Sequence, residues 1–222
     1  MPQSAPNEAK KLAKLSSDCS FLLTHLVRQH DGRSRKQARS ILHSILGEKD
    51  GSPSLHPSPV GWFNTASGCH SFDPAEKGWG QPNTAQSVCF TESTLAGLKA
   101  HRDVFEAHYG LAFDRDLLFE RGANPCLNIR EELLRAKINN RGDRYTRYVY
   151  NYIPFPLQPY VNVINQSFDA THEREWRYVG KLSFCRADVM FLFCPEEDFT
   201  KFAYVQQDGI PVMFDLMWLD RI

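Results

Sequence analysis

The sequence predicts an α+β fold, mixed and mainly antiparallel in its sheets, with short flanking helices. Three observations point there. Short apolar runs of strand length recur along the chain, amphipathic helical stretches stand between them, and no regular βαβ rhythm orders the two. A length of 222 residues is expected to give one domain, placed at 20–222 behind an N-terminal arm or short helix at 1–19.

The elements follow in chain order. Ser20 to Val27 is a compact apolar run flanked by polar residues and reads as a buried strand. From Ser34 the period becomes helical: Ala38, Ile41, Leu42, Ile45 and Leu46 share a face, Ser34 can cap it and Gly47 stops it. Residues 48–86 hold recurrent Gly and Pro with no surviving period, a long loop whose Trp62, Phe63, Phe72 and Trp79 argue for order. Ser87 to Thr91 is a second strand. A helix is expected over Thr94 to Tyr109, with Leu95, Leu98, Val104 and Phe105 inward and Gly110 ending it. Leu111 to Phe113 starts another strand, Asp114 to Glu120 a short helix closed by Gly122, Pro125 to Ile129 a strand and Glu131 to Ile138 a helix. Three further strands are expected near 174–184, 188–194 and 210–218, with a helix over Glu196 to Tyr204 between the last two.

Charge narrows the function classes. Lys+Arg and Asp+Glu both number 26, which excludes a broad nucleic-acid coat or a membrane-surface protein built on a strong positive field. The sum conceals polarity. The first 50 residues carry nine bases against five acids, and residues 186–222 carry seven acids against three bases, leaving room for a local basic cleft. No apolar run approaches the roughly 18 residues of a membrane span. The N-terminus has no secretory pattern. The six cysteines (Cys19, Cys69, Cys89, Cys126, Cys185, Cys194) include no CxxC pair and read as reduced thiols. A cytoplasmic location is expected.

Chemistry concentrates in a few places. In His172-Glu173-Arg174-Glu175-Trp176-Arg177 strand alternation puts Glu173, Glu175 and Arg177 on one side. Neighbouring carboxylates are costly unless one is shared, protonated or turned to a cation, so the pair marks either a site that stabilises positive charge or a solvated strand edge. His25 sits inside the first apolar strand, with Thr24 and Arg28 able to add a hydroxyl and a cation to whatever it faces; a packed core histidine is the alternative. Thr91 and Ser93 end the second strand, either as ligand-touching hydroxyls or, with Thr94, as a helix N-cap. Residues 141–160 alternate bases with aromatics, and Arg144, Arg147 and Tyr148 have the texture of a nucleic-acid or protein acceptor surface. Neither GxGxxG nor GxxxxGK[ST] occurs.

Several of these stretches resemble the bacterial abortive-infection AbiGi family. They are Thr24 to Arg28, Val88 to Ser93, the spaced His101…Tyr109-Gly110-Leu111-Ala112-Phe113, Gly122 to Pro125, and above all Glu173-Arg174-Glu175-Trp176-Arg177-Tyr178-Val179. That resemblance implies a role in phage exclusion, where the family is labelled an antitoxin partner, and hence a cognate toxin or antitoxin protein.

More distantly the layout resembles ADP-ribosyltransferases that modify DNA and RNA. This second resemblance implies an ADP-ribosyltransferase-like architecture with NAD as substrate. His25 and Arg28 would bind the dinucleotide, Thr91 and Ser93 would brace the nicotinamide ribose, and Glu175 or Glu173 would be the catalytic carboxylate. The 48–86 loop would close over the NAD, and the Arg/Tyr segment would present the acceptor. Breaking the nicotinamide–ribose bond passes through an oxocarbenium-like cation, which a fixed carboxylate stabilises. The alternative is a non-enzymatic protein whose charged residues at 172–177 serve an interface or the fold.

Overall fold

The computed structural model describes residues 20–29, 32–48, 51–58, 71–73, 78–80, 86–138, 147–166 and 174–221. In chain order the elements are β1 (Leu22–Val27), α1 (Arg35–Ile45), β2 (Ser54–Leu55), β3 (Ser71–Asp73), β4 (Gly78–Gly80), β5 (Ser87–Glu92), α2 (Leu95–Phe105), β6 (Tyr109–Asp114), α3 (Arg115–Glu120), β7 (Asn124–Pro125), β8 (Leu127–Arg130), α4 (Glu131–Leu134), β9 (Lys137–Ile138), β10 (Arg147–Tyr148), β11 (Val161–Ile164), β12 (Glu175–Val179), β13 (Leu182–Ser183), β14 (Val189–Phe193), α5 (Phe199–Phe202) and β15 (Val212–Phe214). The fold is mixed α+β, mainly antiparallel, with short helices. Its chain forms two compact units: Met1–Leu55, Phe90–Gly122 and Ser183–Ile222 in the first, His56–Cys89 and Ala123–Leu182 in the second.

In the first unit β1 is central. It pairs antiparallel with β6 (Leu23 opposite Phe113, His25 opposite Leu111) and with β5 (Thr24 opposite Thr91). Beyond β6 lie antiparallel β14 and then parallel β15. Alternation sorts the strand residues to two faces. Leu22, Leu26, Ala112, Phe191, Phe193 and Phe214 gather with Leu98 of α2 and with Leu216 and Leu219 of the C-terminal turns. On the opposite face Phe113 meets Phe90 and Phe184 edge to face, and α1 buries Ala38 and Leu42.

Local chemistry sets the helix limits. Ser34 and Gln37 form a reciprocal capping box on α1, Thr94 accepts from Gly97 N at 3.2 Å on α2, and Asp114 accepts from Leu117 N at 2.9 Å on α3. Gly47 follows α1 with φ +74°, and a Cβ there would stand 2.7 Å from the Ser52 backbone. Gly110 does a different job from the one expected. α2 ends earlier, at Glu106 in the left-handed region (φ 50°), while Gly110 lies inside β6, where a Cβ would come 2.6 Å from the His25 carbonyl. That close approach, rather than a helix stop, requires glycine.

The buried face of α2 also differs from expectation. Leu98, His101 and Arg102 are buried, whereas Leu95 and Val104 are 58% and 66% exposed. Arg102 is held inside because Asp220 meets its guanidinium at 2.9 and 3.0 Å and the Leu216 carbonyl accepts at 2.9 Å. Matched charge overrides the apolar count. The expected helix at 196–204 is a short α5 between 3₁₀ turns, and the expected strand at 210–218 stops at Phe214 before a 3₁₀ run at Leu216–Arg221.

The second unit is built from smaller ladders. β12 pairs antiparallel with β7, β9 with β10, and β3 with β4, where Phe72 stands opposite Trp79 inside the long 48–86 segment. β11, an element the sequence did not announce, runs parallel to β8 with Asn162 opposite Asn128. Leu134, Val161 and Val163 form the core here, with Ile129, Tyr150 and Ile153 against them. The helix expected over 131–138 ends at Leu134, because Lys137 and Ile138 leave it to pair with Tyr148 and Arg147. The 1–19 arm lies outside the described residues. Among the described residues no helix is long and apolar enough to cross a membrane.

Candidate functional site

The charged strand β12 lies in the second unit, paired with β7. The chain enters it through Arg174, a non-glycine residue at φ +43°, and Cys126 N donates to the Glu175 carbonyl at 2.8 Å across the β7 side. Residues two apart on a strand share a face, so Glu175 and Arg177 lie side by side. Arg177 Nε and Nη2 donate to the two Glu175 oxygens at 2.9 Å each. The remaining nitrogen, Nη1, donates to the Pro159 carbonyl at 2.8 Å and the Val161 carbonyl at 3.2 Å. The side chains are 3% exposed for Arg177 and 11% for Glu175.

The electrostatics are self-consistent. Burial works against the Arg177 charge, but hydrogen bonds and charge from Glu175 outweigh it and raise the pKa above its ordinary value. Burial, with the Glu175 charge adding to it, pushes the Cys89 thiol up to about 12. Burial likewise raises Cys126, against the pull of Arg177. Both cysteines are free and remain thiols at neutral pH. Both Glu175 oxygens are thus occupied by its own strand neighbour. Its expected companion Glu173 lies outside the described residues.

The other expected site residues belong to the first unit, on two faces of one sheet. Directly opposed residues in a ladder share a face, which puts Thr91 with Thr24. Thr24 Oγ1 is 2.6 Å from Ser93 Oγ and donates to the Thr91 carbonyl at 3.3 Å; Thr24 and Ser93 are buried. The cap of α2 is Thr94, so Ser93 is left to this hydroxyl pair. His25 points the other way, its ring edge to face with Phe90 at 5.9 Å. Thr24 therefore cannot serve whatever His25 faces, as the sequence suggested: neighbours on a strand point apart. Arg28 places its guanidinium 3.9 Å over the Phe105 ring. Glu92 accepts from Ser20 N at 3.3 Å and lies 3.9 Å from Arg115.

A second buried carboxylate gave no sequence signal. Asp198, its side chain 3% exposed, takes Arg39 at 3.2 Å and Lys201 at 2.5 Å, and the buried Tyr109 hydroxyl donates to it at 2.5 Å. Burial alone would raise its pKa, but Lys201, Tyr109 and Arg39 together hold it below the ordinary carboxylate value. Arg39 and Tyr109 come from α1 and β6, far away in sequence, and only Lys201, three residues on, lies within local reach. The Glu175–Arg177 pair, by contrast, was readable as an i, i+2 spacing on a strand.

Of the Arg/Tyr segment, Arg144 lies outside the described residues, whereas Arg147 and Tyr148 form β10. Among the described residues no three His, Cys, Asp or Glu side chains gather to hold a metal ion. No protein-family model, curated protein or solved structure matches this chain.

Proposed function

We propose that this chain acts in phage defence as the partner-binding member of a two-gene abortive-infection pair, and that it works by binding a cognate toxin rather than by chemistry on NAD. The AbiGi-like motifs supply the biological setting. The observation that carries the choice is the closure of Glu175: both carboxylate oxygens accept from Arg177, whose other nitrogen braces residues 159–161. Such a carboxylate serves the fold. The division of His25 from Thr91 and Ser93 between two faces of the first unit's sheet favours the same reading, because one ribose cannot touch both faces.

A second reading keeps the ADP-ribosyltransferase-like enzyme, which would transfer ADP-ribose from NAD to a macromolecule or hydrolyse NAD. It is favoured by one feature: Arg177 fixes the orientation of both Glu175 oxygens at 2.9 Å, and an oriented carboxylate is what the stabilisation of an oxocarbenium ion needs. Two measurements separate the readings. Under partner binding, co-expression rescues cells from the neighbouring gene's product, and labelled NAD is neither consumed nor transferred. NAD loss by the wild-type chain, abolished in a folded Glu175→Gln variant of unchanged melting temperature, establishes the enzyme and overturns partner binding.

A further inference from the structure

The β9–β10 ladder carries a surface that the Glu175 cluster leaves unused. Tyr148 stands opposite Lys137 in the antiparallel register, so the phenol and the ammonium share a face. Tyr148 stacks on Tyr150, ring centroids 5.2 Å apart and planes 13° from parallel. Tyr150 packs against the core of Leu134, Val161 and Val163, and Tyr148 N donates to Asn151 Oδ1 at 2.9 Å. The stack is fixed from below before any ligand arrives. Tyr152, close by in sequence, is 47% exposed, and Lys137 is exposed, whereas Arg147, opposite Ile138, belongs to the other face of the ladder.

Local charge follows the same direction. Glu131 already accepts from Arg135 at 2.7 Å and Asn165 at 3.0 Å. Glu132 lies 3.4 Å from Arg130. Lys137 has no ion-pair partner among the described residues. Across residues 130–152 the sequence holds six bases, three acids and four tyrosines, a positive stretch in a chain whose total is zero.

We propose that this surface binds single-stranded nucleic acid, a base stacking on the Tyr148–Tyr150 ledge while Lys137, on the same face as Tyr148, meets the adjacent phosphate. Every base offers a π-face, so stacking of this kind tolerates sequence, and it requires bases that are not already paired. Each phosphate neutralised releases counterions and makes affinity fall with salt. The surface is independent of the partner-binding reading, since it needs neither a toxin nor NAD.

The test titrates the full chain into a fluorescein-labelled oligothymidylate of about 12 nucleotides and into the matching duplex, with anisotropy as readout. The single strand is expected to bind more tightly than the duplex, with a log–log salt slope of about −0.7 for the one phosphate contact. Tyr148→Ala is expected to weaken single-strand binding at least about fivefold, and Lys137→Gln to remove most of the salt slope. Lys137→Gln alters only an exposed side chain, so it decides the matter if Tyr148→Ala does not fold. Absence of binding at low salt, equal affinity for the duplex, or full affinity and slope in folded variants overturns the proposal. Failure here would leave the co-expression and NAD results standing.

Discussion

Glu175 and Asp198 are both nearly buried carboxylates, and they are neutralised in opposite ways. Glu175 has one cation, two residues away on its own strand and more deeply buried than itself. Asp198 has two cations and a tyrosine from three elements, and its cations reach it from positions 29% and 47% exposed. The first arrangement is closed, with every guanidinium nitrogen used within the second unit. The second draws on cations that stand partly in water, which screens them. Removing one partner should therefore matter most where no water can substitute.

The largest effect is expected from Arg177→Met, which keeps the volume but leaves the Glu175 carboxylate and two backbone carbonyls without their donor. Breaking a buried pair from one side costs about 3–5 kcal/mol, read as a fall in melting temperature and in the denaturant midpoint. The double variant Glu175→Leu/Arg177→Met should recover part of that loss, because no buried charge remains. A double variant no more stable than the single one would show that the carbonyl contacts to Pro159 and Val161 matter more than the charge.

Asp198→Asn comes next, with an expected loss of about 2–3 kcal/mol from three weakened hydrogen bonds at a buried acceptor. The pH dependence has a definite sign. The folded-state pKa of Asp198 lies below its unfolded value near 3.8, so its contribution is fully present above that value and disappears as pH falls through the lower one. Denaturant titrations between pH 5 and 2 should show the wild type losing its advantage over Asp198→Asn in this acidic window. An advantage that persisted undiminished at the lowest pH would remove the ion pairs from the explanation.

The smallest effect is expected from Arg39→Ala. Lys201 and Tyr109 still satisfy Asp198, and the Arg39 side chain is 29% exposed, so the loss should be about 1 kcal/mol or less. If Arg39→Ala cost as much as Arg177→Met, the contrast between the two carboxylates would collapse.

How much of this was legible beforehand depended on sequence distance. The Ser34, Thr94 and Asp114 region signals, the apolar run of β1 and the Glu175/Arg177 spacing were readable because caps, strand alternation and i, i+2 pairs act within a few residues. Gly110 was misread because its requirement comes from the His25 carbonyl on another strand. The inward face of α2 was misread because Arg102 is buried by Asp220, more than a hundred residues later. β11 was missed because Val161–Ile164 is short, follows a proline-rich stretch and gains its strand character only by pairing with β8.

By itself, then, the sequence determined the mixed α+β class, most strand and helix starts, and the candidate residues His25, Arg28, Thr91, Ser93 and Glu175 as a set of types. The tertiary structure decided their company. Register put His25 and Thr91 on opposite faces, and the carbonyls of Pro159 and Val161 completed the Glu175–Arg177 pair that the spacing allowed. A spacing of two on one strand fixes a shared face, but which groups stand opposite it depends on pairing with distant segments, and that pairing is set by the packing of the whole unit.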